Sequence, residues 1–473
     1  MLKTISSLMF SFGCLFSFFA NGADKPNVVL VFIDDLGYGD THPYGAHDIP
    51  TPHLDRLAKE GVKTTANYVM NPPCCPSRCA LYVGQYAQRF GKYGMSRGIP
   101  IPEDRPTLAQ FMKKSGYVTG QIGKWDIGSK LQTPLTTGFD EVGLIPPKKV
   151  YTKEELSAMP KIVQKKLKKK EYKGKYVYIN ENNADSWLTD YDGDLMVDFI
   201  NRHKERPFFL YWSPEAVHSF NDEAPERLRA RTTAKPERKA LAAAIVSVDD
   251  QIGKLIKTLN DLNLRKNTLV IFSSDNGPNL TEYGSASPYR GGKGSGTQQE
   301  GWVRVPAIYS MPSVLPQGKI YDGFCNSLDI YATMAALTGE VVDFPLDGVD
   351  LFPYLKGDQE GSAHDILFWL NSDPNDSEHR HVIAVRWQQW RLYKHEAEDP
   401  WQLFDLEKDP QELNDLAKQY PEIVQQLAGK HLEWSKTLAP IAGKPSKKYQ
   451  KIPHLPKGYG WATAKDLVKT SRG

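Results

Sequence analysis

Six consecutive apolar residues, Val28 to Ile33 in PNVVLVFIDDLG, run straight into the aspartates Asp34 and Asp35. A run with no polar alternation has no face to offer water, so it predicts a strand buried on both sides whose carboxyl end opens into a polar loop. RPFFLYWSP (206–214) and NTLVIFSSDNG (267–277) repeat the pattern, with the helical stretch KALAAAIVSVDDQIGKLIKTL between them. TPHLDRLAKEG places Leu54, Leu57 and Ala58 at helical spacing before a stop at Gly61. RPTLAQFMKKSG, from Arg105, reads as a helix ending at Gly116, followed by the strand-like YVTGQIG. Alternating strands and helices with polar loops at the strand ends predict an α/β fold, a large mixed, mainly parallel sheet sandwiched by helices. Ligands of such sheets gather at the carboxyl ends of the strands.

The pattern changes across a polar stretch near Tyr354 to Ser377. Beyond it, HVIAVRWQQWRLYKH and WQLFDLEKDP alternate like antiparallel strands, and YPEIVQQLAGKHLEWSKTL reads as an amphipathic helix. The expected organisation is a large α/β domain over 24–360 and a smaller C-terminal α+β subdomain on an antiparallel sheet over 361–473. Residues 1–23 have the form of a signal peptide: Lys3, then the apolar run Leu8–Ala20, then small residues at Ala20 and Gly22. That run is too short for the roughly 20 residues of a membrane span. A lipoprotein reading through Cys14 is the weaker one. The expectation is therefore an exported protein, periplasmic or secreted, with no membrane association after cleavage. Lys plus Arg number 59 against 56 Asp plus Glu, a net charge of +3, so no global field attracts nucleic acid.

The chemistry-bearing residues stand at the strand ends and in Gly- or Pro-punctuated loops. Asp34, Asp35, Asp275 and Asn276 are the hard oxygen ligands that Ca²⁺ or Mg²⁺ prefers. Arg78, Lys124, His218 and Lys293 are cationic groups in loops of the same kind, and a divalent ion among several cations suits a tetrahedral oxyanion. Cleavage of the signal leaves Cys74, Cys75, Cys79 and Cys325. Three of them within six residues make neither a disulfide framework nor, lacking a second cluster, a zinc site. Whether Cys79 pairs with Cys325 is open at this stage.

CCPSR, Cys74 to Arg78, matches C-x-P-S-R, and here the chain resembles the formylglycine-dependent sulfatases of the alkaline phosphatase superfamily. FIDDLGYGD, TPHLDRLAKEG, GKWDIG (123–128), SSDNG, RGGKGSGTQQEGWVRVP (290–306) and WQLFDLEKDPQELNDLA (401–417) are similar to family blocks in the family's order. The resemblance runs from about Lys25 to Ala417. It implies that a formylglycine-generating enzyme oxidises Cys74 to an aldehyde, reading Pro76 and Arg78, and that Asp34, Asp35, Asp275, Asn276 and the modified Cys74 hold one Ca²⁺. One hydroxyl of the aldehyde hydrate would attack sulfur, and deprotonation of the other would expel sulfate. Lys124 and Lys293 would hold sulfate oxygens, Arg78 would orient the hydrate, and His218 would protonate the leaving alcohol.

The main departure is Asp126. The family block is G-K-W-H-L-G, whose His takes the proton from the hydrate; a carboxylate beside Lys124 is a weaker base. Either Asp126 performs that step or turnover is impaired and another group takes over. Val83, where the family often has Thr, and the VHS around His218 are smaller departures. The substrate implied is a sulfated carbohydrate, a polysaccharide or its oligosaccharides, with algal galactans such as carrageenan favoured over ulvan, fucoidan and glycosaminoglycans. The lysine run KIVQKKLKKKEYKGK (161–175) reads as a solvated helix face or a basic rim. Trp187, Tyr191, Trp387 and Trp390 are candidates for stacking on sugar rings, most aromatics being core. The competing readings are a phosphoesterase or phosphonate hydrolase of the same superfamily, and a degenerate homologue that only binds sulfated glycan.

Overall fold

The computed structural model describes residues 25–95, 99–127, 132–144, 187–218, 221, 224–293, 299–371, 382–395, 398–442 and 460–466. The signal segment and the lysine run 161–175 lie outside the described residues.

The apolar runs do form buried strands. β1 (Asn27–Ile33) has β6 (Phe208–Ser213) on one side and β7 (Thr268–Ser274) on the other, both parallel to it. β4 (Val118–Gly123) and β5 (Glu141–Gly143) extend the parallel part beyond β6. β8 (Ala307–Ser310) lies antiparallel to β7, β2 (Val62–Thr64) antiparallel to β8, and β9 (Lys319–Tyr321) parallel to β2. β15 (Trp461–Thr463) returns antiparallel to β5, which gives nine strands among the described residues, in the order 15-5-4-6-1-7-8-2-9. The short pair β3 (Asn67–Tyr68) and β10 (Cys325–Asn326) sits apart from this sheet.

Strand geometry explains why β1 needs no polar face. Val28, Leu30 and Phe32 enter one core cluster with helices 74–83, 108–114 and 329–338. Val29, Val31 and Ile33 enter another with helices 52–59, 188–203 and 239–261. Each of these six side chains is fully buried, and each contributes on the order of 1.5–3 kcal/mol by leaving water.

β11 (Ile366–Asn371), β12 (Val382–Trp387), β13 (Trp390–Lys394) and β14 (Gln402–Asp405) form the expected antiparallel sheet. Its alternation serves two cores: Leu367, Trp369, Ala384, Tyr393 and Phe404 join the first large cluster, while Val385, Leu392 and Leu403 pack with Leu427 of helix 421–435. Asn371 Nδ2 donates to Pro72 O at 3.0 Å, two residues before Cys74, so this sheet reaches the site. Trp187, Tyr191 and Trp390 are buried in hydrophobic clusters and offer no exposed ring for a sugar; Trp387 is half-buried.

Candidate active site

β4, β6, β1 and β7 are neighbours, so their carboxyl ends deliver Lys124 and Asp126, His218, Asp34 and Asp35, and Asp275 and Asn276 to one edge of the sheet. Because Ile33 pairs with Ser274, the two acidic turns begin side by side. Asp275 N–H donates to Ile33 O at 3.0 Å, and Asp35 N–H donates to Asp275 Oδ1 at 3.2 Å. Oxygens of Asp34, Asp35 and Asp275 lie within 4.8 Å of one another.

The helix 74–83 opens with Cys74, and Arg78, four residues on, shares its face. The fully buried Arg78 guanidinium meets Asp275 Oδ2 at 2.9 Å from Nε and 2.7 Å from Nη2, and Asp34 Oδ2 at 3.2 Å. Tyr211 and Ser213, alternate residues on β6, each accept from Nη1 at 2.7 Å. Lys124 Nζ contacts Asp34 Oδ2 and lies 3.7 Å from Asp126. Its backbone N–H donates to Ser213 O at 2.6 Å. The preceding Gly123, at φ +84°, allows that approach, since a Cβ there would fall 2.1 Å from the same oxygen. Lys293 Nζ bonds both Asp35 oxygens, at 3.1 and 2.9 Å, and lies 3.7 Å from Cys74 Sγ. Its loop is tied to the β7 turn by Lys293 N–H to Pro278 O, 2.8 Å. His218 Nε2 stands 3.8 Å from Asp35 Oδ2, and His218 groups with Asp34 and Cys74 as it would around an ion. All ten residues singled out in the sequence thus converge.

The electrostatics show what the cluster lacks. Burial, and then the Asp34 charge, push Asp35 up to about 6 and Asp275 up to about 7. Burial opposes ionisation of Asp34 too, but Lys124, His218 and Arg78 hold it well below the usual range. Burial takes the Cys74 thiol up to about 12 and His218 down to about 4. Asp34 Oδ1 and Asn276 Oδ1 are buried with no hydrogen-bond partner. Asn276 instead uses its Nδ2, donating to Asp35 Oδ1 at 2.7 Å and Gly277 O at 2.8 Å, which turns its oxygen free. Crowded carboxylates with two orphaned oxygens are a donor set that fits a hard divalent cation. Both metal-capable groupings among the described residues share Asp34, so they mark one site.

Residues 26–340 match the family model described as Sulfatase. The chain belongs to the sulfatase family. Residues 298–437 of this sulfatase also match a model described as N-sulphoglucosamine sulphohydrolase, C-terminal. It is 34% identical over 359 residues to N-acetylgalactosamine-6-sulfatase of Homo sapiens, covering 71% of this chain and 67% of that one. To arylsulfatase A of Homo sapiens it is 31% identical over 465 residues, covering 86% and 87%. The crystal structure of Ps i-CgsB in complex with k-i-k-neocarrahexaose superposes with a TM-score of 0.75 at 29% identity, covering 90% of this chain and 96% of that one. The expected fold and the expected enzyme class, a sulfuric ester hydrolase, both hold.

Several residues that build the sulfatase site escaped the sequence reading. Tyr211 and Ser213 lie within the run 206–214 read only as a buried strand, yet polar groups at alternate positions of an otherwise apolar run are a usable sign. Lys92 gave no sign, because a lysine in FGKYG reads as surface; it is fully buried. The four described cysteines are free: Cys79 Sγ donates to Ile127 O at 3.2 Å, while Cys325 Sγ lies 3.5 Å from Asn67 Oδ1. No disulfide joins Cys79 to Cys325.

Proposed function

We propose that this sulfatase is exported and removes sulfate from a sulfated carbohydrate, using a formylglycine made from Cys74 and one Ca²⁺. The observation that carries this reading is the convergence of Lys124, Lys293, His218 and the acidic trio around Cys74, a cationic cradle facing a cation site. Asp34, Asp35, Asp275 and Asn276 would hold the ion, which when bound supplies Lewis-acid polarisation. Converted to formylglycine, Cys74 offers a hydrated aldehyde, whose sulfate adduct can collapse by elimination; a sulfated serine would instead need a second hydrolysis.

The chain's own groups divide the remaining work. Lys293 and Lys124 neutralise the sulfate oxygens, and the N-terminal end of helix 74–83 adds its positive field. Arg78, bonded on both edges, keeps residue 74 in place. With the anionic sulfate ester bound, its charge raises His218 from the low value that burial imposes, so that His218 gives a proton to the leaving alcohol while Asp126 accepts one from the hydrate. The carbohydrate assignment is supported by N-acetylgalactosamine-6-sulfatase among the relatives and by the neocarrahexaose in the Ps i-CgsB structure. We infer carrageenan-type galactan as the favoured class. A two-metal phosphatase would need a second set of ligands, and the described residues form metal groupings only around Asp34; a one-ion phosphonate or phosphate ester hydrolase is separated from the sulfatase reading by the assay below.

Sulfate release should be assayed against carrageenan, fucoidan and glycosaminoglycan oligosaccharides, with aryl sulfate and phosphate monoesters alongside. The expected result is release from one glycan class, carrageenan first, with phosphate esters slower by orders of magnitude. Faster phosphate than sulfate release would reverse the assignment. The ion is tested separately by thermal unfolding: Ca²⁺ at about a hundred times its Kd should add about 2.7 kcal/mol. Asp275→Asn should abolish that gain. A melting temperature indifferent to Ca²⁺ would remove the ion from the account.

A further inference from the structure

We propose that Lys92 is a positioning residue for Asp126, its ammonium locking the Asp126–Ile127 turn against the helix that carries Cys74 and Arg78. The inference rests on the reading of Asp126 as the group that accepts the hydrate's proton.

Lys92 follows the short turn Ala87–Phe90 and has no exposed surface. Its Nζ donates to Ile127 O at 2.8 Å and to Ile99 O at 3.0 Å. Ile127 O accepts a second time, from Cys79 Sγ at 3.2 Å. One carbonyl, next in the chain after Asp126, is thus gripped by both a buried ammonium and a thiol of the catalytic helix. Burial opposes the charge on Lys92, but interaction with the sulfurs of Cys79 and Cys75 keeps its pKa above the ordinary value.

Burying an ammonium is costly, and an apolar side chain of similar volume would avoid that cost. What such a side chain cannot do is bind two carbonyls at one point. The bonded turn needs that grip. Asp126 sits at φ +31°, on the left-handed side that an ordinary residue adopts reluctantly. The loop is held on its other side by Lys124 N–H to Ser213 O, 2.6 Å, and by Trp125, whose ring lies 4.6 Å from Tyr82 and whose Nε1 donates to Gln132 O at 3.0 Å. Lys92 supplies the pin after Asp126, and together these contacts hold the carboxylate 3.7 Å from Lys124. The neighbouring cysteines thereby divide: Cys79 bonds the same carbonyl as the ammonium, while Cys74 lies by Lys293 in the site.

The test is a double-mutant cycle on protein with formylglycine at position 74, assayed on a chromogenic aryl sulfate. Lys92→Met should lower kcat by about 10- to 100-fold, the range that an ångström-scale misplacement produces, with KM changed less than about twofold. Asp126→Ala should lower kcat as well, and the Lys92→Met/Asp126→Ala protein should be no slower than Asp126→Ala alone, because a positioning group has nothing left to position. Lys92→Gln, which keeps a neutral donor, should fall between parent and Lys92→Met and show the same lack of additivity; it carries the test if Lys92→Met does not fold. A Lys92 factor that persists undiminished in the Asp126→Ala background, or parent-like kcat in Lys92→Met, would overturn the inference alone. Asp126→Ala turning over at the parent rate would overturn it together with the Asp126 reading.

Discussion

Cys74→Ala is expected to lose at least about 10⁴-fold in kcat for sulfate release while keeping its fold and, with one ligand fewer, a reduced Ca²⁺-dependent gain in melting temperature, because removing a nucleophile disables the whole catalytic unit. The side chain is 3% exposed with its Sγ 3.7 Å from Lys293 Nζ, and truncation to Ala removes one sulfur atom, too little to unfold the core. Cys74→Ser should fail for a different reason: its sulfate adduct is a stable ester. Parent-like turnover in Cys74→Ala would mean that water bound elsewhere in the cluster attacks sulfur, and the role given to residue 74 would be lost.

Arg78→Met is expected to lower stability by about 3–5 kcal/mol, the cost of leaving buried charges without their partner. Asp275 would then lose its guanidinium contacts while Asp34 keeps Lys124, and Tyr211 and Ser213 would lose the donor that both share. Urea unfolding of parent and variant measures this directly, and added Ca²⁺ should recover part of the loss by neutralising the same carboxylates. A loss no larger than that of a surface pair, about 1 kcal/mol, would contradict the picture of Arg78 as the keystone of the acidic cluster.

Much of this design was legible in the chain because the site is built where the sequence pattern is strongest. Asp34 directly follows an uninterrupted apolar run and Asp275 follows a second one after two serines, and once those runs are adjacent parallel strands in this register their terminal acids meet. Helices 52–59 and 108–114 were readable from apolar spacing and a glycine stop, and 239–261 from its apolar pattern alone. The short strands β2, β5, β8, β9 and β15 were not. With three or four residues each, they have too few positions to display a period and exist because the sheet edge offers them partners. β15 shows this most clearly: it pairs with β5 from more than three hundred positions away in the chain. Lys92 escaped because what it satisfies, two backbone carbonyls in another loop, has no local signature. Asp126 stood out only against the family block, and its left-handed backbone became visible only in the folded chain.

The most direct measurement of the central claim compares sulfate release with the state of residue 74 in the same preparations. Protein made with graded amounts of formylglycine-generating enzyme would be digested, and the peptide Thr64–Arg78 analysed by mass spectrometry for the fraction of Cys74 converted. Specific activity on the glycan should rise in proportion to that fraction and extrapolate to zero at no conversion. Equal activity in preparations that differ in conversion, or activity with Cys74 wholly unmodified, would contradict the account.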